Sequence, residues 1–345
     1  MVLSAVPIRP RVGSSPCCDT SKKGRSGNRE RYSTFMKVLR DLADAGVEKP
    51  CALSIGVFDG VHLGHRYLID KLIKSAEGHD VVSGVLTFDR HPDELLAPEK
   101  EIRYLTLFEE KVRLLGQLGL DFVVALSFTK DLSQTTARDF ILSLLKRLRM
   151  RELWIGPGFA LGRAREGDAA YLKALGLELG FRLQAPEPLR HNGHVISSSI
   201  IRALLREGRV TEASHLLGRY PSLSGKVVSG ARRGQRLGFP TANLAADEKL
   251  VIPADGIYAV RVQWGTTNHQ GVVNIGVRPT FEDQRKRVVE AHVLDFTGDL
   301  YEQSLGIHFI RRLRPEQRFE SADALIAQMK EDVAQTRRLF QELEQ

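Results

Sequence analysis

The sequence predicts a doubly wound α/β domain with a parallel sheet, followed by a β-barrel domain and a C-terminal helix. Three observations carry this. Short apolar runs alternate with helical patterns up to about residue 217, the signature of a parallel sheet covered by helices. Short strand patterns separated by Gly and Pro then take over. Residues 321–341 return to helical periodicity. At 345 residues the chain has room for two domains of about 100–200 residues each. The expected division is a tail over 1–35, a first domain over 36–217 and a second over 218–345.

Hydrophobic residues make up 42% of the chain and charged residues 27%, the balance of a soluble globular protein. No apolar run reaches the ~18 residues that a membrane span needs, so no membrane partner is expected. The three cysteines, Cys17, Cys18 and Cys51, lack zinc spacing and cannot build a disulfide framework. That pattern fits a reducing cytoplasm. The net charge of +8 invites a nucleic-acid reading. Its distribution argues against one: residues 1–35 hold seven Lys/Arg and two acids, so five of the eight net charges sit there. The expectation is no nucleic-acid partner. Residues 1–35 are rich in Ser, Gly, Pro and basic residues without apolar periodicity. They read as a disordered basic tail, functionless or a weak polyanion-binding arm. Met36 opens the first segment with structural character.

Residues 51–58 form a short apolar run suited to a buried parallel strand. The helix after it carries Leu68, Ile69, Leu72, Ile73 and Ala76 on one face. Further strands are expected at 81–88, 121–128 and 152–156, with helices at 107–118 and 136–149. A capping box from Thr106 to Glu109 starts the first of these helices. Ligands on such sheets bind beyond the carboxyl ends of the strands, where Asp59-Gly60-Val61-His62-Leu63-Gly64-His65 sits. A helix amino end offers free N–H groups and a positive dipole. His62 and His65 can donate hydrogen bonds to a triphosphate there and stabilise a leaving pyrophosphate, and Gly64 lets phosphate approach the backbone. Helix caps or a metal pair are the alternative, although no third ligand follows at helical spacing. Residues 87–92 (Thr-Phe-Asp-Arg-His-Pro) end another strand at the same crevice. Ser197, Ser198 and Ser199 with Arg202 open a later helix, as γ-phosphate contacts, as helix caps, or as both.

In the second half, strands are expected at 223–229, 257–264, 270–275, 287–296 and 305–312, a barrel or sandwich pattern. Between the first two lies a glycine-rich turn and a rigid loop, Gly238-Phe239-Pro240-Thr241-Ala242-Asn243-Leu244. Pro240 fixes φ, while Gly230, Gly234 and Gly238 allow unusual backbone or close approach. The Thr241 hydroxyl and Asn243 carbonyl are hard oxygen donors of the kind Mg²⁺ accepts beside nucleotide phosphates. Val289, Ala291 and Val293 alternate with Glu290 and His292, so Glu290 points away from the apolar face. Leu325, Met329, Val333 and Leu339 form an apolar stripe on the last helix, read as core.

These residues resemble the bacterial bifunctional riboflavin kinase/FMN adenylyltransferases, also called FAD synthetases. The first-half match comprises residues 56–65, 87–92, 197–202 and Leu217-Gly218-Arg219. The second-half match runs from Gly225 through the Pro-Thr-Ala-Asn loop, residues 253–258 and 274–281, Glu290 and Tyr301. It covers nearly everything after residue 36. The resemblance implies a nucleotidyltransferase domain that moves AMP from ATP to FMN with Mg²⁺, giving FAD and pyrophosphate. It further implies a barrel-type kinase domain that makes FMN from riboflavin and ATP. By the same resemblance, His62 and His65 are catalytic, with Gly56, Phe58, Asp59, Gly60, Gly64, Ser197, Ser198, Ser199 and Arg202 around the nucleotide. Phe88, His91, Pro92 and Phe159 are expected near the flavin. In the second domain Gly230, Gly238 and Pro240 are expected near the nucleotide, and Thr241 and Asn243 on Mg²⁺. Glu290 is the base toward the ribityl 5′-hydroxyl, and Arg278 contacts flavin or phosphate, or makes a surface salt bridge. The expected assembly is a monomer or weak homo-oligomer.

One departure stands out. Where the family commonly has Asp or Asn within Gly-x-Asp/Asn-Phe-x-Phe-Gly, this chain has Gly158. The loss of that hydrogen-bonding group opens an alternative, a riboflavin kinase with an impaired adenylyltransferase domain.

Overall fold

Strand β2 (Cys51–Ile55) is buried along its whole length. It tolerates one polar residue because the Ser54 hydroxyl donates to the Trp154 carbonyl at 2.9 Å. In the computed structural model, which describes residues 36–43, 46–229, 238–277 and 287–345, β2 is the centre of a six-stranded parallel sheet. Its companions are β1 (Lys37–Leu39), β3 (Val82–Phe88), β4 (Phe122–Leu126), β5 (Met150–Trp154) and β6 (Arg182–Gln184), in the order β1-β4-β3-β2-β5-β6. The chain winds outward through β3 and β4 on one side of β2, then through β5 and β6 on the other. The switch point therefore lies between β2 and β5, where such sheets open a crevice.

Helices α1 (Leu63–Gly78), α2 (Asp93–Leu96), α3 (Phe108–Gly116), α4 (Lys130–Gln134), α5 (Ala137–Leu148) and α6 (Ala169–Leu179) connect and cover the strands. A small hairpin, β7 (Arg190–His191) and β8 (His194–Val195), leads to α7 (Ser198–Arg206) and α8 (Val210–Leu217). The expected strands and helices of this half are present, with β5 two residues earlier than the pattern suggests. The expected capping box is not formed. Leu107 occupies the N-cap position of α3, because the Thr106 hydroxyl accepts the Gly60 N–H instead, at 3.1 Å. Edge strands β1 and β6 carry too few residues to stand out in the sequence.

The second half closes into a six-stranded antiparallel barrel, ordered β10-β13-β12-β11-β14-β9. Its strands are β9 (Ser222–Val228), β10 (Ala242–Ala246), β11 (Gly256–Trp264), β12 (Thr267–Val277), β13 (Arg287–Val293) and β14 (Ser304–Arg314). β10 corrects the reading of residues 238–244 as a loop: pairing to β9 and β13 begins directly after Thr241. Helix α9 (Ala322–Glu344) lies on the barrel through Leu339 and Phe340, which pack with Ala259 and Ile310. The rest of its apolar stripe, Leu325, Met329 and Val333, lines a cavity instead.

The expected boundary at 217/218 falls inside one continuous apolar core. Ile201, Leu204, Leu216 and Leu217 of α7 and α8 pack with Val227, Val260 and Phe309 of the barrel. The described residues cluster as a single unit.

Candidate active sites

The first cavity, about 370 Å³, lies at the β2/β5 switch point and is walled by residues 55–59 from one strand end and 156–159 from the other. The connection from β2 to α1 is sharply folded: Phe58 has φ 52°, Gly60 φ 79° and Val61 φ 37°. Left-handed backbone at non-glycine residues costs roughly 1–3 kcal/mol each and needs surrounding contacts to persist. Those contacts are present. The Val57 carbonyl accepts from the Thr87 hydroxyl at 3.0 Å and from the Lys111 ammonium at 3.1 Å, and Lys111 also donates to the Phe88 carbonyl at 2.7 Å. Burial pushes Lys111 down to about 8, against the pull of Asp59 and Asp89. A side chain on Gly60 would lie 2.7 Å from Leu105, so glycine is required there by conformation and by space.

Asp59 lines the cavity and is 2% exposed. Its carboxylate accepts the N–H groups of Leu105 and Thr106 at 3.0–3.1 Å and pairs with Arg202 at 2.6 Å. Arg202 keeps its Nε unpartnered. Ser198 donates its hydroxyl to the Asp59 carbonyl at 3.0 Å, and Ser197 caps α7, so capping is realised while Ser197, Ser198, Ser199 and Arg202 all line the cavity.

His62 is the N-cap of α1: its Nδ1 accepts the His65 N–H at 3.3 Å. That bond leaves the ring proton on Nε2. The His62 and His65 rings stack with centroids 3.6 Å apart, and Phe58 meets His65 edge-on at 5.1 Å. Burial, reinforced by Arg219 and Arg202, pulls His62 down to about 4. Burial, followed by His62 and Lys111, holds His65 well below the ordinary value. Both rings are neutral near pH 7. A side chain on Gly64 would press on the His62 ring and the Ile196 carbonyl.

His91 and Phe159 reach this cavity, as do Gly56 and Phe58. Gly60 lies against Leu105 and is not among the lining residues, Pro92 occupies the N-cap position of α2, and Phe88 packs against Phe128 at 5.4 Å. Gly158 lines the cavity with φ 67° and open space where a side chain would project. Its carbonyl accepts from Arg165 at 2.9 Å.

Two further cavities, of about 320 and 370 Å³, meet at Thr241. Cross-strand register assembles their polar groups: Glu290 on β13 faces Asn243 on β10 and Asn274 on β12. Directly paired residues share one face of the sheet, so the three form a row across three strands. The first of these cavities holds Glu290, Asn274 and His292 against an apolar wall of Phe239, Ile257, Val272, Leu325, Met329 and Val333. The second holds Ser229, Pro240, Asn243, Asp299 and Tyr301.

His292 Nδ1 lies 2.8 Å from the Pro240 carbonyl and its ring packs on Phe239, which fixes the Pro-Thr turn. Arg314 pairs through two nitrogens with the buried Asp332 at 2.8–2.9 Å and ties α9 to the barrel end. Burial and the nearby Asp255 raise Glu316 in the same cavity. Among the described residues no cluster of three His, Cys, Asp or Glu forms a metal cage. The Thr241 and Asn243 oxygens instead suit a hard cation that arrives already bound to phosphates. Gly230 and Arg278 lie outside the described residues. Asn274 opens the matched stretch 274–281 without a role read for it, and His292, Lys111 and Tyr104 carry no local signature that marks them as parts of a site.

Comparison with known proteins agrees with this division. A family model described as FAD synthetase matches residues 44–200, and one described as riboflavin kinase matches residues 217–340. A bifunctional riboflavin kinase/FMN adenylyltransferase of Escherichia coli is 37% identical over 309 residues, 88% of this chain and 98% of the relative. The Listeria monocytogenes protein of the same name is 33% identical, covering 85% and 93%. A solved Streptococcus pneumoniae structure, described as a macrolide-efflux protein, matches with TM-score 0.81 and 28% identity, over 88% of this chain and 98% of that one.

Proposed function

The chain belongs to the bifunctional riboflavin kinase/FMN adenylyltransferase family, and from that premise we propose that it converts riboflavin to FMN and FMN to FAD at two separate sites. The observation that carries this is the pair of constellations: stacked histidines at a helix amino end, and a carboxylate set in register between two asparagines.

At the first site, residues 36–217, an FMN phosphate oxygen attacks the α-phosphorus of ATP and pyrophosphate leaves. No proton needs to move. The chain's task is to align two anions and stabilise charge on the leaving group. The α1 amino end, Gly64, the His62 Nε2–H, His65 and Arg202 supply N–H groups toward that charge, and neutrality of the rings makes them donors without proton exchange. His91 and Phe159 take the flavin side.

At the second site, residues 218–345, Glu290 accepts the proton of the ribityl 5′-hydroxyl as that oxygen attacks the γ-phosphorus of ATP; the bond from the γ-phosphorus to the β,γ-bridging oxygen breaks and ADP leaves. The apolar wall of the Glu290 cavity suits an isoalloxazine ring, and the more polar cavity beyond Thr241 suits the nucleotide. Thr241 and Asn243 would hold Mg²⁺ there, which neutralises phosphate charge when bound. The buried, unpaired Cys51 and the low cysteine count fit a reducing cytoplasm. The efflux named for the Streptococcus pneumoniae relative finds no counterpart in the chemistry of these cavities, and no helix among the described residues is long and apolar enough to cross a membrane.

The test is a time course of purified protein with riboflavin, ATP and Mg²⁺. FMN should appear first, then FAD with matching pyrophosphate. FMN without FAD would leave only the kinase reading.

A further inference from the structure

Residues 249–255 of the second half are tied to both sites. On one side, the Tyr104 N–H donates to the Lys249 carbonyl at 2.7 Å, the Val251 N–H donates to the Tyr104 carbonyl at 2.8 Å, and the Ala254 N–H donates to the Leu205 carbonyl at 3.0 Å. On the other side, Arg287 donates to the Ile252 and Pro253 carbonyls and the Asp255 carboxylate, and Arg312 donates to the Asp255 carbonyl at 2.6 Å. Arg287 is on β13, three residues before Glu290.

The Tyr104 side chain continues this chain of contacts into the first cavity. Its hydroxyl accepts the His91 N–H at 2.7 Å and donates to the Glu94 carboxylate at 2.5 Å. Tyr104 is 9% exposed. Burial and the Glu94 bond raise its pKa above the ordinary value, so the phenol stays a donor throughout the working range. His91 lines the cavity, and its Nδ1 accepts the Asp93 N–H at 3.1 Å. The next residues, Leu105 and Thr106, hold Asp59.

We propose that Tyr104 is a positioning residue for adenylyl transfer: its main chain takes its place from barrel residues 249–255, and its hydroxyl sets the His91 loop on the flavin side of the first cavity. This rests on the reading of that cavity as the adenylyl-transfer site and deepens it. Two halves of one residue do different work. The main-chain bridge to Leu250 is independent of side-chain identity, whereas the hydroxyl is the single atom bracketing the His91 N–H and Glu94. Losing it leaves a partly buried N–H to find another partner, and the loop reseats to do so.

Tyr104→Phe keeps the ring and the bridge and deletes only the hydroxyl. The expected result is a rise of about 5- to 10-fold in the KM for FMN during FAD formation. The KM for ATP, the adenylyl-transfer kcat and riboflavin phosphorylation should stay within about twofold, since those groups keep their contacts. Glu94→Gln retains an acceptor for the hydroxyl and should leave the KM for FMN near the wild-type value. The proposal is overturned if Tyr104→Phe leaves that KM unchanged, if both activities fall together, or if Glu94→Gln shifts it as far as Tyr104→Phe. Wild-type protein assayed alongside separates the two readings: no FAD from it would overturn the site assignment itself.

Discussion

The first site takes its strained turn, its helix amino end and both histidines from ten consecutive residues, 56–65, whereas the second sets single residues of β10, β12 and β13 in a row. The first is therefore a matter of local backbone. Its strained turn is held by distant partners, Lys111, Thr87, Leu105 and Thr106, that do not line the cavity. The second has ordinary strand backbone, and its geometry is a matter of register. A slip of one residue in β13 would turn Glu290 into the barrel core and bring Val289 out. A site built from a strained loop needs a shell of buried polar contacts. A site built from register needs only that the barrel close correctly.

This contrast can be broken most forcefully at Glu290. Glu290→Gln keeps the shape and removes the base, so riboflavin phosphorylation should fall by about 10³-fold while FMN adenylylation is unchanged. His65→Ala should do the reverse, cutting FAD formation by about 10²- to 10³-fold and sparing the kinase. Equal loss of both activities in a folded variant would mean that the sites are not separate.

His62 sharpens the comparison through pH. Its folded value of about 4 lies below the ~6.5 of an unfolded chain, so the unfolded chain binds the proton first. Stability from this group is complete above pH ~6.5 and is lost as pH falls toward 4, by an amount on the order of 2–3 kcal/mol. Thermal unfolding should show that loss in the wild type and a flatter profile in His62→Gln. The FAD-forming rate should not show a His62 titration between pH 6 and 8. The smallest effect is expected at Gly158. Asparagine tolerates left-handed backbone, and open space awaits its side chain, so Gly158→Asn should lower the KM for FMN in FAD formation by about two- to fivefold.

The same contrast explains what could be read in the sequence. Residues 59–65 and the α/β alternation were legible because their signals are local. The crevice followed from the strand–helix order alone. Strand β10 was hidden because Gly238 and Pro240 resemble the breakers of a loop, although pairing starts one residue after Thr241. The row of Asn243, Glu290 and Asn274 depends on which residues pair across strands, and no local pattern carries that. Thr106 and Asp59 show the same limit from the other side. The expected Thr106 cap gives way to the Gly60 N–H, and the Asp59 carboxylate is held by Leu105 and Thr106, all contacts 46 or more residues apart in sequence. Lys111 and Tyr104 sit on ordinary helical and extended segments, and only tertiary packing gives them a purpose.

If one chain holds two complete and separable sites, two variants each crippled at a different site should complement one another when mixed. Glu290→Gln and His65→Ala proteins are each given riboflavin, ATP and Mg²⁺, alone and together. Glu290→Gln alone should accumulate neither FMN nor FAD, His65→Ala alone should stop at FMN, and the mixture should make FAD from FMN released by one protein and captured by the other. A mixture that stops at FMN, while Glu290→Gln also fails when supplied with FMN directly, would mean that the two sites are not separable.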